Sequence, residues 1–172
     1  MSNLARIIRH LYASRAGLEA AANAVPPGYW QKPPRAGAWS AAEVIAHLIM
    51  VEGAITDGAI RLVRGAAPRV PLWKRLHLPA WLAGWRGIRA RTPILLDPKL
   101  VGEKEEMLAQ LAGLRRRTLG LLEETHEREL SVYRWPHPFL GSLNFYQWFE
   151  VVAYHEARHT KQVREIIESF QE

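Results

Sequence analysis

The stretch from Trp148 to Phe170, WFEVVAYHEARHTKQVREIIESF, sets two histidines four residues apart inside a strongly helical pattern. One face of such a helix carries Trp148, Val152, His155, His159, Val163, Ile166 and Phe170, in steps of three or four residues. The histidines therefore fall in a seam that is otherwise apolar. Residues four apart on a helix have Cβ atoms roughly 5–6 Å apart, close enough for two imidazoles to share one metal at N–metal distances of about 2.1 Å. Two ligands make a poor site, so a third is expected from another helix.

The segment Trp39-Ser40-Ala41-Ala42-Glu43-Val44 is a clear helix start. Ser40 can cap the first turn while Glu43 reaches back to its amide, and Trp39 can pack on Val44 as a hydrophobic staple. From that start Val44, His47, Leu48, Val51, Ile55, Ala59 and Leu62 share a face, which points His47 into the core. A lone histidine on an apolar face is ordinarily a core residue hydrogen-bonded to a neighbour. The matching pair on the last helix gives His47 a second reading, as the missing ligand.

The rest of the chain supplies two further helices and their connections. Asn3 to Ala24 carries a one-sided stripe of Leu4, Ile7, Ile8, Leu11, Leu18 and Ala22, with His10 at its boundary, and should stop before Pro26-Pro27-Gly28. Gly65 to Pro98 contains Pro68, Pro71, Pro79, Pro93 and Pro98, which exclude a long regular helix. No acidic residue lies between Asp57 and Asp97, whereas Trp73, Trp81 and Trp85 alternate with Arg69, Lys74, Arg75, Arg86, Arg89 and Arg91. The plainest reading is an irregular crossover whose tryptophans pack onto the bundle. An interfacial segment suited to a bilayer headgroup region or a partner surface, and a lid attracting an anionic substrate, are the other two. Pro98 to Thr125 reads as a third helix, with Arg115-Arg116-Arg117 a solvated face because consecutive side chains fan out by about 100° each. His126 ends that helix. Ser131 to Gly141 is a loop in which His137, between two prolines, either approaches the metal or shapes a turn. No strand alternation, internal repeat or low-complexity tract is evident.

Composition bounds the function. The 172 residues suit one compact domain, 1–172, with 65–98 as its irregular crossover. The absence of cysteine excludes thiolate ligands, a cysteine nucleophile and a disulfide scaffold. The opening MSNLARIIRHLYASR is neither a signal peptide nor a membrane span, so a cytoplasmic protein is the default expectation. The net charge of +6 is local to the crossover, and without a recognised reader motif nucleic acid is not an expected partner.

Four helices with a long second connection make an all-α four-helix bundle, whose sites are built from side chains on facing helices. His47, His155 and His159 would offer three neutral nitrogens and leave a fourth position open, the arrangement of a catalytic metal. Nitrogen-only ligation suits zinc, nickel, iron or copper better than calcium or magnesium. His155-Glu156-Ala157-Arg158-His159 also matches the H-E-x-x-H pattern of zinc peptidases. The extended peptidase motif needs glycine at 162 and histidine at 165, where this chain has Gln162 and Glu165. Glu156 is therefore a candidate proton-transfer or supporting residue, or simply a solvent-facing one, about 100° around the helix from His155.

WSAAEVIAHL, HPFLGSLNFYQWF and AYHEARHTKQVREI together resemble the DinB superfamily, in the branch of metal-dependent hydrolases and bacillithiol transferases, and the resemblance spans nearly the whole chain. It implies an up-down-down-up four-helix bundle with a divalent metal, usually zinc or nickel, held by His47, His155 and His159. It also implies a frequent homodimer. The function expected is a metal-dependent enzyme that activates a thiol or water for S-transfer or hydrolysis on a small molecule. Any thiol must then come from a low-molecular-weight cosubstrate. The alternative is a non-catalytic metal-binding helical scaffold or stress-response binding module.

Overall fold

The computed structural model describes residues 3–65, 71, 75–85 and 101–171. Pro68, Arg69, Trp73, Lys74, Arg86, Arg89, Arg91, Pro93 and Pro98, on which much of the crossover reading rests, lie outside the described residues. Four α-helices are described: α1 (Asn3–Asn23), α2 (Ala41–Arg64), α3 (Lys104–Glu124) and α4 (Phe145–Glu168), with a short 3-10 helix at Ala80–Gly84. Ser40 caps α2 through the full reciprocal box with Glu43, and Asn144 caps α4 in the same way with Gln147. α3 begins later than its apolar pattern suggests, at Lys104, with Glu103 extended at the N-cap position and making no side-chain capping bond.

Cross-helix contacts establish the direction of every helix. On α1 and α4, Arg6 meets Glu150, His10 meets Tyr154 and Ser14 meets Glu156, so these two run parallel. On α2 and α3, Glu52 meets Arg115, Thr56 meets Thr118 and Asp57 meets Arg117, so these also run parallel. Between the pairs the order reverses: Leu11 accepts from Arg115 while Arg15 donates to Leu111. The bundle is up-down-down-up. Parallel neighbours cannot be joined by a short turn, which is why α2 and α3 need the long crossover that the prolines mark.

The apolar interior is divided in two. One cluster is built around Ile7, Leu11, Ile55, Leu122, Phe145 and Phe149. The other is built around Leu18, Ala22, Ile45, Met107, Leu111 and Val163. Between them runs a charged layer with one residue from each helix: Arg15, Glu52, Arg115 and Glu156, all with at most 6% of their surface exposed. Arg15 donates from Nε to Glu156 (2.7 Å) and from Nη2 to Glu52 (2.9 Å). Arg115 donates from Nε to Glu52 (2.8 Å) and from Nη2 to Glu156 (3.0 Å). Thr118 adds a hydroxyl donor to Glu52 at 2.9 Å, and Ser14 one to Glu156 at 2.5 Å. Burial alone would lower the pKa of Arg115, but the hydrogen bond to Glu52 and the fields of Glu156 and Glu52 outweigh it and hold it above the ordinary value. The expectation that Arg115 lies on a solvated face is thus corrected: the fan of consecutive arginines leaves Arg116 and Arg117 exposed and turns Arg115 inward.

The loop before α4 is also more ordered than its sequence suggests. Strands β1 (Arg134–His137) and β2 (Gly141–Asn144) form an antiparallel hairpin, with Arg134 opposite Asn144 and His137 opposite Gly141. Four-residue strands with a proline inside one are too short to show alternation. His77 bridges to Gly141, which has φ of +83° and where a Cβ would stand 2.6 Å from the Leu76 carbonyl oxygen, so only glycine fits there. The crossover tryptophans depart from expectation as well: Trp81 and Trp85 are more than half exposed, and Ala80, Leu82 and Ala83 make the contact with the bundle. No helix among the described residues is long and apolar enough to cross a membrane.

Removing one partner from the charged layer leaves an uncompensated buried charge. Glu52→Ala should therefore destabilise the protein by about 3–5 kcal/mol. Arg117→Ala, which breaks only the exposed pair with Asp57, should change stability by less than about 1 kcal/mol. Urea unfolding of the two variants checks both, and equal effects would refute the central role of the layer.

Candidate metal centre

Capping by Ser40 starts α2 at Ala41, which places His47 two turns into the helix on its inward face. The ring of Trp39 covers it, with centroids 5.2 Å apart. Capping by Asn144 starts α4 and sets His155 and His159 on the face turned to α2. The result is a cluster in which the ligand nitrogens of His47, His155 and His159 all lie within 4.8 Å of one another. Nε2 of His155 is 3.3 Å from Nε2 of His47 and 3.1 Å from Nε2 of His159. Nitrogens arranged tetrahedrally about one ion at 2.0–2.1 Å stand about 3.3 Å apart, so the spacing matches a shared ion.

The protons support the same fit. His159 Nδ1 lies 2.8 Å from Oε1 of Gln162, an acceptor, so the ring proton belongs on Nδ1 and Nε2 presents its lone pair to the cluster. His155 Nε2 can carry one proton at most, yet it faces two other ring nitrogens. Hydrogen bonding alone cannot satisfy all three, whereas a cation can. Burial lowers the pKa of His47 from 6.5 to about 4. His155 is also held well below its ordinary value, by burial first and then by the fields of His159 and His47. All three donors of the set are the nitrogen ligands expected for zinc, nickel or iron.

The other sequence candidates are distributed differently. His137 sits in the hairpin turn, where its Nδ1 accepts from the backbone amides of Phe139 and Leu140 at 3.1 and 3.2 Å. Of its two expected roles, the turn is the one its hydrogen bonds display. His10 lies edge-on to Tyr154, and His126 bonds to the Glu123 carbonyl at the end of α3. Glu156 is not solvent-facing, as its position on the helix permitted. It is 1% exposed, with one carboxylate oxygen held by Arg15 and the other by Ser14 and Arg115. Sequence reasoning missed Arg15 and Glu52 altogether and put Arg115 on the solvated face, although each occupies a position in an apolar stripe. It also missed Gln162, whose only signal is its place one turn beyond His159. A cavity of about 10 Å³, lined by Leu48, Val51, Glu52, Val152, His155 and Glu156, separates the histidines from the charged layer. It has room for about one water.

A family model for the DinB superfamily matches residues 10–163. The chain belongs to the DinB superfamily. The matched region contains His47, His155 and His159 and all four members of the charged layer. Among curated proteins, the chain is 27% identical over 150 residues to "Uncharacterized protein YuaE" of Bacillus subtilis (strain 168), spanning 80% of this chain and 83% of that one. Among solved structures it is similar to TT2238, described as a four-helix bundle protein, with 28% identity, a TM-score of 0.60, and coverage of 94% of this chain and 98% of that one. This DinB chain therefore shares its bundle with a protein whose structure was determined by crystallography.

Two outcomes follow from the histidine cluster. Gln162→Leu should weaken metal affinity about 10–100-fold while leaving helicity unchanged, as measured by competition with a chelator. In the metal-free protein, His47 and His155 bind fewer protons when folded than when unfolded at pH values below 6.5. Stability should therefore fall as pH drops from 6.5 towards 4 and should be insensitive to these groups above that window. Thermal melts of metal-free wild type and His47→Phe check this, with the shallower slope expected in the variant.

Proposed function

We propose that this DinB-superfamily protein is a metal-dependent enzyme acting on a small molecule, with His47, His155 and His159 holding one divalent ion. Zinc or nickel is the foremost candidate, and iron fits the same donors. The observation that carries the reading is the convergence of three ring nitrogens from two helices. When bound, such an ion supplies acidification of a coordinated thiol or water, giving a nucleophile near neutral pH. The chain's own residues do the rest. Gln162 orients His159, Trp39 packs on His47, and burial keeps His47 and His155 neutral and ready to ligate. Glu156 acts through the bundle in this reading, since both its oxygens are engaged by Arg15, Ser14 and Arg115, and its proposed role is to position α4 rather than to move a proton. Having no cysteine, the chain must take any reacting thiol from a cosubstrate.

One observation favours a second reading, a non-catalytic metal-binding scaffold: the cavity beside His155 admits a water but no substrate. Incubating the metal-loaded protein with a low-molecular-weight thiol and a small electrophile, and separately with small ester and amide substrates, distinguishes the two. The enzyme reading expects turnover in one class that falls to background in His47→Ala. Full metal occupancy without turnover in either class would favour the scaffold, and undiminished turnover in His47→Ala would refute the site.

A further inference from the structure

Every imidazole that ligates through one ring nitrogen has a proton on the other, and that N–H is almost always given to a carboxylate, a backbone carbonyl or a water. The outer partner fixes the ring and strengthens it as a ligand. Gln162 does this for His159. His155 is different. Its hydrogen bonds among the described residues all run through Nε2, to His47 and His159, so its Nδ1 has no protein partner there. The ring does border the cavity of about 10 Å³, whose other polar walls are Glu52 and Glu156.

The two glutamates are not equivalent acceptors. A carboxylate offers about four lone-pair sites, two on each oxygen. On Glu52, Oε1 accepts from Arg115 Nε and the Thr118 hydroxyl, and Oε2 accepts from Arg15 Nη2 and Arg115 Nη2, which fills both oxygens. On Glu156, Oε2 accepts from Ser14 and Arg115, but Oε1 accepts from Arg15 alone. One site on Oε1 is left over. Neighbours in a helix sequence do not face each other, so His155 cannot reach Glu156 directly. A water can, since the cavity is large enough for one and a buried water needs two or more polar partners.

We propose that the cavity holds one ordered water that accepts a hydrogen bond from His155 Nδ1 and donates one to Glu156 Oε1. This rests on the three-histidine metal site proposed above, because ligation through Nε2 is what puts the proton on Nδ1. Glu156 is then a positioning residue: through the water its charge makes His155 a stronger ligand and holds its ring in place. The glutamate of H-E-x-x-H thus serves the histidine beside it, and the charged layer that sets helix register is wired to the metal centre.

Zinc titration of the full chain against a chelator, combined with NMR of the imidazole protons, tests the bridge. Val152→Ile adds one carbon to the cavity wall and displaces the water without altering a glutamate or a histidine. It should lower zinc affinity about tenfold or more at unchanged helicity, and abolish the magnetisation transfer that wild type shows between a long-lived water and the His155 Nδ1 proton. Glu156→Gln, which keeps the side chain's shape without its charge, should weaken zinc binding as well. Wild-type zinc affinity in Val152→Ile, or a wild-type Nδ1 proton in contact with no such water, would overturn the bridge and leave Glu156 a structural member of the layer only. Failure of wild type to bind zinc would instead overturn the three-histidine site, and the bridge with it.

Discussion

The buried layer of Arg15, Glu52, Arg115 and Glu156 is the constraint on which the rest of the bundle depends. Apolar stripes can slide past one another by a turn at modest cost, because one leucine replaces another. Charges in a dry interior cannot, since each requires its partner within hydrogen-bond distance. One residue from each helix enters this layer, and both arginines contact both glutamates. The layer therefore sets the axial register of all four helices together. Such a layer is weak evidence for high stability but good evidence for a single arrangement, which is what a ligand cluster drawn from two helices needs.

The histidine cluster adjoins that layer on both contributing helices. His47 precedes Glu52 by five residues on α2, and Glu156 lies between His155 and His159 on α4. A slip of one turn between α2 and α4 would break Glu52 and Glu156 from the same arginines and would also separate His47 from His155. Structure and chemistry thus share one mechanical reference. In this H-E-x-x-H sequence both oxygens of the glutamate are held by Arg15, Ser14 and Arg115. Its glutamate lies about 100° around the helix from the first histidine, and here that direction points into the charged layer.

Much of this architecture is legible in the sequence because it is carried by periodicity and caps. The α2 start follows from Ser40 and Glu43, the α4 seam from its three-and-four spacing, and the His47, His155 and His159 set from placing both seams face to face. The DinB resemblance rests on those same residues. What stays hidden is long-range. Arg15 and Glu52 look like faults in an apolar stripe, Arg115 like part of a solvated run and Glu156 like part of a motif, and only their mutual proximity across four helices turns them into one network. The Arg115-Arg116-Arg117 run conceals its buried member because neighbours on a helix face in different directions. The hairpin escapes notice because its strands are four residues long and one contains Pro136. The exposure of Trp81 and Trp85 is invisible for a different reason: burial of an aromatic depends on what the remainder of the chain brings to it.

The central claim is that three imidazoles, held in register by a charged layer, share one metal ion. Elemental analysis of the purified protein, for wild type and for the double variant His155→Ala with His159→Ala, tests it most directly. The account predicts about one equivalent of zinc, nickel or iron per chain in wild type and none in the variant, consistent with a single cluster of this donor type. No metal in wild type even after reconstitution, or equal metal in both proteins, would contradict it and return the histidines to the core.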